Sequence, residues 1–425
     1  MIAPARRAAL DALRQIDDGD LDLGEAVARA RRPLHDERDR GLLLELVTGT
    51  LRMRRAVDYQ LASRVNRPLD KLDDAVLRVL RLSGFQLIYL SRLPASAIIN
   101  DAVELTRRAG KTSAAGLANA VLRALSKDCE RLTWPDDISI VHSHPRWLVD
   151  RWTARYGEAA TLEWLQFNNR AATLCLAANR TLTTREALAD ELARAGVTTE
   201  PTRHASHGLH VLEGHPLGLE AFTAGRFIVQ DEASQLIPEF VQAQPGQHVL
   251  DLCASPGGKT VALSAATGAH GLIVACDVRP HRVRLLSRTL TRCRITNAMV
   301  VHVPEDGVLP FRDAAFDVVL IDAPCSGLGT VRRDPDIRWR RTSEDLPALT
   351  AAQHQLLSRA AGLVRPGGCV VYSTCSSEPE ENQEVVDGFL LERPDFTLER
   401  THETLPFRDG LEAFYAANLR REPSP

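Results

Sequence analysis

The sequence lacks the features that mark several common classes of protein. None of its eight cysteines forms a C-x-x-C pair, so neither a zinc ribbon nor a compact disulfide scaffold is expected. No apolar stretch approaches the roughly 18 residues of a membrane span, and the amino-terminal segment has no apolar core typical of a signal peptide. Positive charge is not in excess, because 52 Lys+Arg face 55 Asp+Glu. These absences favour a reduced, cytoplasmic protein and, taken alone, argue against a globally basic nucleic-acid binder.

The length and the amino-terminal residues predict several domains, the first of them helical. At 425 residues the chain is long enough for about two to four domains. Apolar residues recur at helical spacing through 73–90 and 96–109, and Thr112 or Ser113 is placed to cap a third helix. Strand-like alternation is scarce here, so the pattern predicts an all-α bundle over residues 1–138.

The middle of the chain predicts a small α+β segment over residues 139–225. A helix is expected from Pro145 to Phe167, and strand-like pieces occur at 173–178 and 209–212. The segment also holds a cluster of histidines, namely His204, His207, His210 and His215. No cysteine or carboxylate lies at a recognisable ligand spacing from them, so a surface loop is favoured over a metal site and no metal is predicted.

The last part of the chain, residues 226–425, alternates strand-like and helical stretches. The strand-like runs end in small or acidic residues and cover 248–253, 271–277, 298–303, 316–325 and 368–375. Alternating β and α elements predict parallel strands with helical crossovers, which is a doubly wound, Rossmann-like α/β sheet. Such sheets bind ligands at the carboxyl ends of their strands.

A glycine turn, DLCASPGGKT, follows the first of these strands at residues 251–260. Gly257 and Gly258 let a ligand approach the backbone closely, and the next helix offers free N–H groups at its start. The turn fits neither the Walker pattern nor G-x-G-x-x-G. Asp277 ends the second strand, where a carboxylate can accept both ribose hydroxyls of an adenosine cofactor. A plain tight turn and a helix cap are the structural alternatives, but the two features together favour S-adenosylmethionine over NAD or ATP.

Two cysteines end two strands of the same predicted sheet, Cys325 after Asp322-Ala-Pro and Cys375 after Ser-Thr. A single thiol at a strand end is usually packing, but two at one edge point to nucleophilic chemistry. Carbon 5 of a pyrimidine can take a methyl group once a thiolate has added to carbon 6, and a base must then remove the carbon-5 proton. Two cysteines and an aspartate supply such a set, although the residues alone do not rank the two thiols.

These motifs resemble those of the Sun-type RNA cytosine-5 methyltransferases, in particular the RsmB/Fmu group. DLCASPGGKT is similar to the family's cofactor loop, and IDAPCSGLGTVRRDPDIRW and VVYSTCSSEPEENQEVV are similar to its two cysteine motifs. PASAIINDAVELTRRAG and GLANAVLRAL resemble the NusB-like helical domain that is fused to this group. The resemblance covers nearly the whole chain. It implies an all-α NusB-like bundle, a small RRM-like α+β subdomain and a Rossmann-like methyltransferase domain.

The resemblance also implies roles for individual residues. Cys375 would be the nucleophile, Cys325 would assist release of the methylated product, and Asp322 would contact the cytosine edge. The residues implied to hold the cofactor are Cys253, Ala254, Ser255, Pro256, Gly257, Gly258, Lys259, Asp277, Asp306 and Asp322. The chain departs from the family at residues 176–179, where an arginine expected to contact RNA is absent, and at 409–415.

Arginine placement is the remaining signal for nucleic acid. Four lysines leave 48 of the 52 basic residues as arginine. One cluster comprises Arg332, Arg333, Arg338 and Trp339. Its charge and aromatic ring are typical of single-stranded RNA binding, so it is predicted to contact RNA. Residues 279–294 carry six arginines and no acid. A solvated surface is the alternative for both clusters, and acids such as those at 378–381 offset their charge in the total.

The residues and the resemblance together predict an enzyme that uses S-adenosylmethionine to methylate carbon 5 of one cytosine in 16S rRNA. The substrate is expected to be naked or partly assembled small-subunit RNA, and nothing in the sequence demands more than a monomer. One alternative is a NusB-like RNA-binding or assembly factor with an inactive methyltransferase fold, which the retained cysteines and aspartate disfavour. The other is an exocyclic-amine methyltransferase, which usually carries a loop without a thiol where this chain has Asp-Ala-Pro-Cys.

Overall fold

The computed structural model describes residues 2–306 and 308–423, and the chain divides into two compact units. The first unit comprises Met1–Arg170 and Val331–Arg341, and the second comprises Ala171–Thr330 and Thr342–Pro425. The first unit is thus assembled from two stretches that are far apart in the sequence. Within the described ranges, no helix combines the length and the apolar character needed to cross a membrane.

The helices and strands are numbered in chain order. The helices are α1 (Pro4–Asp17), α2 (Leu23–Arg31), α3 (Glu37–Arg52), α4 (Arg54–Ala62), α5 (Asp74–Tyr89), α6 (Ala95–Arg108), α7 (Ala115–Asp128), α8 (Ile138–Val141), α9 (Arg146–Tyr156), α10 (Glu158–Asn169), α11 (Arg185–Arg194), α12 (Glu220–Thr223), α13 (Glu232–Val241), α14 (Gly258–Thr267), α15 (Pro280–Arg292), α16 (Ile337–Arg340), α17 (Leu346–Ala361), α18 (Gln383–Glu392) and α19 (Pro406–Asp409). The strands are β1 (Cys175–Ala178), β2 (Thr198–Pro201), β3 (Gly208–Glu213), β4 (Phe227–Val229), β5 (His248–Asp251), β6 (Leu272–Asp277), β7 (Ala298–His302), β8 (Phe316–Asp322), β9 (Val364–Thr374), β10 (Phe396–Thr404) and β11 (Phe414–Arg421).

The first unit is a helical bundle made of α1 to α10 and α16. Asp73 caps α5 by accepting a hydrogen bond from the Ala75 N–H, and the apolar face of α5 packs into a core with α4, α6 and α7. The helices predicted over 73–90 and 96–109 are confirmed as α5 and α6. The predicted helix cap at Thr112 or Ser113 is wrong, because those residues form a short 3-10 turn and α7 begins later, without a side-chain cap.

The helix predicted from Pro145 to Phe167 is in fact two helices, α9 and α10, separated at Gly157. Gly157 has a φ of +83°, a left-handed conformation that ends α9 and that favours glycine. The rings of Trp152 and Trp164 stack with their centroids 4.2 Å apart and hold the two helices together. Both helices belong to the first compact unit, which extends beyond the helical region predicted from the sequence.

The second unit contains a small sheet of four antiparallel strands in the order β2-β3-β1-β4. The chain order β1-α11-β2-β3-α12-β4 is the split βαβ arrangement of ferredoxin-like folds. Leu176 on β1 lies opposite Leu209 on β3 and Val229 on β4, so the first strand of the unit is central in the sheet. The strand-like pieces predicted from the sequence are confirmed as β1 and β3, and the segment is α+β.

The second unit also contains a sheet of seven strands in the order β10-β11-β9-β8-β5-β6-β7. The neighbours among β7, β6, β5, β8 and β9 pair in parallel, which confirms the predicted doubly wound sheet. Successive residues of β5, Val249 and Leu250, enter different cores on the two faces, as expected for a sheet covered on both sides. β11 is antiparallel to both β9 and β10, a feature that the sequence pattern did not predict.

The strand order determines where a ligand can bind. The chain runs outward from β5 through β6 to β7 on one side of the sheet, and through β8 and β9 on the other. The carboxyl end of β5 is therefore the point at which the strand order reverses, the usual binding crevice of such sheets. β5, β6 and β8 end there in Asp251, Asp277 and Asp322.

Candidate active site

The turn at residues 253–259 connects β5 to α14 at the carboxyl edge of the large sheet. Gly257 has a φ of +106°, and a Cβ at this position would lie 3.0 Å from Leu286 Cδ1, so the position requires glycine. A Cβ on Gly258 would lie 3.1 Å from Gln230 Cδ. α14 begins at Gly258, and the first N–H groups of a helix have no partner within it. The backbone thus presents hydrogen-bond donors beside the strand ends.

Asp277 and Asp306 are predicted to hold the cofactor, and the structure places a further aspartate, Asp251, at the end of β5. Asp251 is fully buried and accepts a hydrogen bond from Thr260 Oγ1 over 2.7 Å, while burial raises the pKa of Asp251 to about 6. Asp277 is buried at the end of β6 and accepts a hydrogen bond from the Arg279 N–H over 3.1 Å. Asp306 is exposed in the loop after β7, and among the described residues no hydrogen bond or ion pair joins it to the turn. Its cofactor role stays a prediction.

The two predicted thiols lie side by side. β8 and β9 pair in parallel with Asp322 opposite Ser373, and Cys325 Sγ is 3.3 Å from Cys375 Sγ. The expectation that both thiols lie at one edge of the sheet is therefore confirmed. The hydrogen bond to Cys375, burial and the negative charge of Glu381 together raise the pKa of Cys325 well above that of an ordinary thiol. Cys325 is thus held as a neutral thiol at neutral pH, which the sequence alone did not show.

An ion pair lies at the same edge. Lys259 Nζ is 2.6 Å from Asp322 Oδ2 and 3.2 Å from Ser234 Oγ, and the Ser373 hydroxyl donates to Asp322 Oδ1 over 3.2 Å. Burial is the largest influence on the pKa of Lys259 and lowers it, but the charge and hydrogen bond of Asp322 outweigh burial and the pKa is raised. Lys259 is therefore charged at neutral pH. Sequence reasoning assigned Lys259 to the cofactor and missed this pairing, because the two residues are far apart in the chain.

Sequence reasoning also missed Glu381, which it treated only as one of several acids that offset the arginines. The side chain is fully buried and accepts hydrogen bonds from Ser326 and Ser376, the residues that follow the two cysteines. No periodicity or composition marks such a residue. The one clue in the sequence was that Glu381 lies six residues after Cys375, within the same cysteine motif.

Three family models match this chain in succession. The NusB family model matches residues 3–127, the RsmF/B-like ferredoxin-like domain matches 144–217, and 16S rRNA methyltransferase RsmB/F matches 238–420. Ribosomal RNA small subunit methyltransferase B of Pseudomonas putida is 33% identical, over 97% of this chain and 98% of that protein. The chain belongs to the RsmB/F family of 16S rRNA methyltransferases.

Further comparisons agree with this RsmB/F assignment. Ribosomal RNA small subunit methyltransferase B of Vibrio cholerae is 32% identical, over 99% of this chain and 98% of that protein. The crystal structure of a methyltransferase homologue from Pyrococcus horikoshii is 25% identical and superposes with a TM-score of 0.58, covering 67% of this chain and 98% of that one. The activity of this chain is therefore methyl transfer to small-subunit ribosomal RNA.

In this RsmB/F chain, one residue predicted to contact RNA is instead part of the helical unit. Arg338 is fully buried, and its guanidinium donates to the carbonyl oxygens of Ser143 and Asn168 over 3.0 and 3.3 Å and to Asn169 Oδ1 over 3.0 Å. The prediction that Arg338 contacts RNA is thus wrong for this structure, because the side chain is enclosed by its own unit. Charge and spacing did not reveal that the segment at 331–341 packs into the bundle.

The neighbours of Arg338 are also engaged within the helical unit. Trp339 is half-buried, its indole N–H donates to the carbonyl oxygen of Leu51 over 2.6 Å, and Arg54 lies 5.8 Å from the ring centroid. The guanidinium of Arg332 lies 4.2 Å from the centroid of the Phe167 ring. RNA contacts by Arg332, Arg333 and Trp339 stay predictions, since these side chains are only partly exposed.

The other arginine cluster lies on α15 of the RsmB/F chain. Arg282, Arg284 and Arg288 are exposed, and among the described residues none of them forms an ion pair with a carboxylate. Arg292 differs, because its guanidinium lies 4.1 Å from the Phe222 ring centroid and donates to the carbonyl oxygen of Phe222. α15 therefore has an exposed basic face that no carboxylate among the described residues neutralises, whereas its last arginine, Arg292, packs against Phe222.

The histidine cluster is spread over β3, which holds His210, and the loops on either side of it, which hold His204, His207 and His215. His210 Nε2 lies 3.1 Å from Glu232 Oε2, and His204 Nε2 lies 3.2 Å from the carbonyl oxygen of Asp409. Within residues 2–306 and 308–423, no three His, Cys, Asp or Glu side chains converge as they would around a metal ion.

Proposed function

We propose that this RsmB/F chain transfers a methyl group from S-adenosylmethionine to carbon 5 of a cytosine in 16S rRNA, through a covalent bond between Cys375 and carbon 6. The observation that carries the proposal is the pair of thiols 3.3 Å apart at the ends of β8 and β9. Beside them lies the ion pair of Lys259 and Asp322. A methyltransferase that acts on an exocyclic amine has no use for two adjacent thiols.

The residues around the β5 turn fit the cofactor. Gly257 takes the positive φ with which the chain turns into α14, and α14 offers its first N–H groups there. Asp277 presents a buried carboxylate at the end of the adjacent strand, suited to the ribose hydroxyls. Residues 253–259, Asp277, Asp306 and Asp322 would hold the cofactor. When bound, S-adenosylmethionine supplies an electrophilic methyl group on a sulfonium.

Cys375 begins the chemistry as the nucleophile. Its thiolate adds to carbon 6 of the cytosine, the carbon 5–carbon 6 double bond opens, and its electron pair makes carbon 5 nucleophilic enough to take the methyl group. Asp322, paired with Lys259, accepts a hydrogen bond from the exocyclic amine and orients the base.

Cys325 acts in the second half of the reaction. After methyl transfer, a base takes the carbon-5 proton, the double bond reforms and the bond between carbon 6 and the Cys375 sulfur breaks. The raised pKa of Cys325 keeps it a neutral thiol, 3.3 Å from the departing sulfur. A hydrogen bond from that thiol stabilises the charge on the leaving sulfur and so assists product release.

The test is a pair of single variants incubated with 16S rRNA and S-adenosylmethionine. Cys325→Ser should accumulate a covalent protein–RNA adduct that is visible as a slowly migrating band, because release is impaired. Cys375→Ser should form no adduct and no 5-methylcytosine. Methylation by Cys375→Ser would show that the nucleophile is another residue.

A second measurement addresses the assembly-factor alternative. Titration calorimetry of the wild-type chain with S-adenosylmethionine should show binding. Absence of binding, together with retained RNA affinity, would favour an inactive methyltransferase fold that serves ribosome assembly.

The proposed substrate is naked or partly assembled small-subunit RNA, contacted by the NusB-like unit and by the exposed arginines of α15. Such a substrate implies a cytoplasmic enzyme. The chain is proposed to act as a monomer, since all of the proposed catalytic residues lie in its own second unit.

A further inference from the structure

Glu381 is an unusual residue for the interior of this unit. It lies in a short 3-10 turn, Pro379–Glu381, and its side chain is fully buried. Within the described part of the chain, no arginine, lysine or histidine forms an ion pair with it. Burying a carboxylate without a cation is costly unless hydrogen bonds replace its lost hydration.

Four hydrogen bonds satisfy the Glu381 carboxylate. Oε1 accepts from the Ser326 N–H over 2.7 Å and from Gln353 Nε2 over 3.0 Å. Oε2 accepts from the hydroxyl groups of Ser326 and Ser376. One oxygen therefore binds two N–H donors, and the other binds two hydroxyl donors.

The donors are the immediate neighbours of the two thiols. Ser326 follows Cys325, and Ser376 follows Cys375, so one carboxylate joins the two loops that carry the cysteines. Gln353, on α17, adds to this link, because its amide also donates to the carbonyl oxygen of Pro324 over 2.9 Å. The two loops are therefore tied to each other and to one helix.

We propose that Glu381 is a positioning residue that sets the spacing of the Cys325 and Cys375 thiols by binding the residue next to each. The catalytic consequence rests on the proposed cytosine chemistry, in which both sulfurs act on one base. The geometric part, the spacing of the thiols, does not depend on that chemistry. The charge of Glu381 also favours the neutral form of Cys325, as its raised pKa shows.

Two uncharged variants separate hydrogen bonding from charge. In Glu381→Gln, the amide oxygen can keep the two N–H donors, and the amide nitrogen can donate to the oxygens of the two serines, whose hydroxyls can rotate. In Glu381→Ala all four bonds are removed. Because both variants lack the charge, any difference between them reports the link between the two loops.

The first measurement uses the rate of disulfide formation to report how closely the two thiols are held. Diamide oxidises two neighbouring thiols to a disulfide and takes up the two electrons and two protons to become a hydrazine. Peptide mass mapping would follow formation of the disulfide between Cys325 and Cys375. We expect Glu381→Ala to form it about tenfold more slowly than Glu381→Gln, because the sulfurs are no longer held together. Equal rates in the two variants would overturn the proposal.

The second measurement is single-turnover methyl transfer to 16S rRNA. Misplacement of a reacting group by about 1 Å can cost about 100-fold in rate, so Glu381→Ala should lose about that factor while Glu381→Gln keeps most of the activity. The affinity for S-adenosylmethionine should change little in either variant. An equal loss in both would assign the effect to charge rather than to spacing and would contradict the proposal.

A matched control is Glu232→Ala in the same unit. Glu232 is also a buried glutamate with several hydrogen bonds, from the N–H groups of His204 and Ala205 and from His210. Its removal should lower stability without slowing disulfide formation. A slower disulfide in this control as well would show that general destabilisation, not Glu381, explains the effect.

The outcomes also separate this proposal from the proposed function. If the Gln and Ala variants differ in disulfide rate but wild-type enzyme makes no 5-methylcytosine, the cytosine chemistry fails and the positioning role stands. If Glu381→Ala does not fold, Glu381→Asn replaces it in the comparison with Gln, because this amide is also uncharged and its shorter side chain cannot reach both loops. A disulfide rate for Asn equal to that for Gln would then overturn the proposal.

Discussion

At the scale of single residues, the site is defined by unequal environments for chemically similar groups. Cys325 and Cys375 follow adjacent strands, and the negative charge of Glu381 helps to raise the pKa of the Cys325 thiol. Asp251 and Asp322 also end adjacent strands, but Asp251 is fully buried beside a hydroxyl whereas Asp322 has a lysine. The surroundings of each group, more than its residue type, therefore determine its charge state and its partners.

Asp251 provides a residue-scale prediction about pH and stability. Its pKa is raised from 3.8 to about 6, so the folded state binds a proton that the unfolded state has released, and stability falls as pH rises between these values. Above about pH 6 the charged carboxylate costs the folded state about 3 kcal/mol. Asp251→Asn, which cannot ionise, should therefore gain more stability relative to wild type at about pH 8 than at about pH 5.

Urea unfolding of Asp251→Asn and wild type at the two pH values measures this effect. Thr260→Val serves as the control, because it removes the hydrogen bond but leaves a group that titrates. A stability difference between Asn and wild type that is the same at both pH values would show that Asp251 is not held with a raised pKa.

The sequence contains Cys325, Cys375 and the glycine turn in recognisable motifs, so their meeting at one edge of the sheet could be predicted from it. Glu381 and the pairing of Lys259 with Asp322 could not, because their roles arise from contacts between segments that are distant in the chain. Arg338 shows the opposite failure: charge beside an aromatic residue suggested RNA, but the guanidinium satisfies backbone carbonyls of its own unit. The sequence shows the charge and the size of a side chain, but the groups that the side chain contacts depend on the fold.

At the scale of elements, the strands were more predictable than their arrangement. The five runs from 248 to 375 correspond to β5 through β9, because buried parallel strands read as short apolar runs. The antiparallel β11 was not predicted, since its place between β9 and β10 depends on pairing between distant segments. The break at Gly157 was missed as well, because the apolar pattern continues across it.

α15 provides an element-scale prediction about RNA binding. Arg284→Glu combined with Arg288→Glu should weaken binding of 16S rRNA, because both side chains are exposed and carry charge that no carboxylate neutralises within the described residues. The dependence of log affinity on log salt should fall by about 0.7 for each phosphate that the helix no longer neutralises. Filter binding over a series of salt concentrations measures both quantities.

The matched control keeps the charge of this helix. Arg284→Lys combined with Arg288→Lys should retain most of the affinity and the salt dependence, because phosphate binding needs a cation more than a guanidinium fork. Unchanged affinity in the double glutamate variant would mean that the face of α15 is only solvated.

At the scale of the whole molecule, the first unit depends on a segment that the chain supplies late. Ser143, whose carbonyl accepts from Arg338, has a φ of +55°, a conformation that costs a non-glycine residue about 1 kcal/mol. The adjacent His144 is fully buried, and burial followed by the charge of Arg338 holds its pKa well below the ordinary value. The segment at 331–341 thus supplies, through Arg338, the donor for buried carbonyl groups of Ser143 and Asn168 in the helical unit.

Arg338 provides the prediction at this scale. Arg338→Ala in the full chain should destabilise the first unit by about 3 kcal/mol or more, because buried carbonyl groups lose their donors. Arg146→Ala, in the same unit, should cost less than about 1 kcal/mol, since Arg146 is exposed and solvent screens its ion pairs with Asp137 and Asp150. Differential scanning calorimetry of the two variants measures the difference. Equal losses of stability would mean that Arg338 is not an anchor of the unit.

The two-part construction of the first unit has a consequence for synthesis on the ribosome. Its last residues are translated only after β1 to β8 have been made, since the whole of the second unit's first stretch, Ala171–Thr330, separates Arg170 from Val331. At about 5–20 residues per second, the nascent helices wait roughly 10–30 s for Arg338. During that interval the carbonyl groups of Ser143 and Asn168 lack the guanidinium of Arg338 as their donor. The amino-terminal helices are therefore made first, but they reach their final stability only when about half of the seven-stranded sheet has been translated.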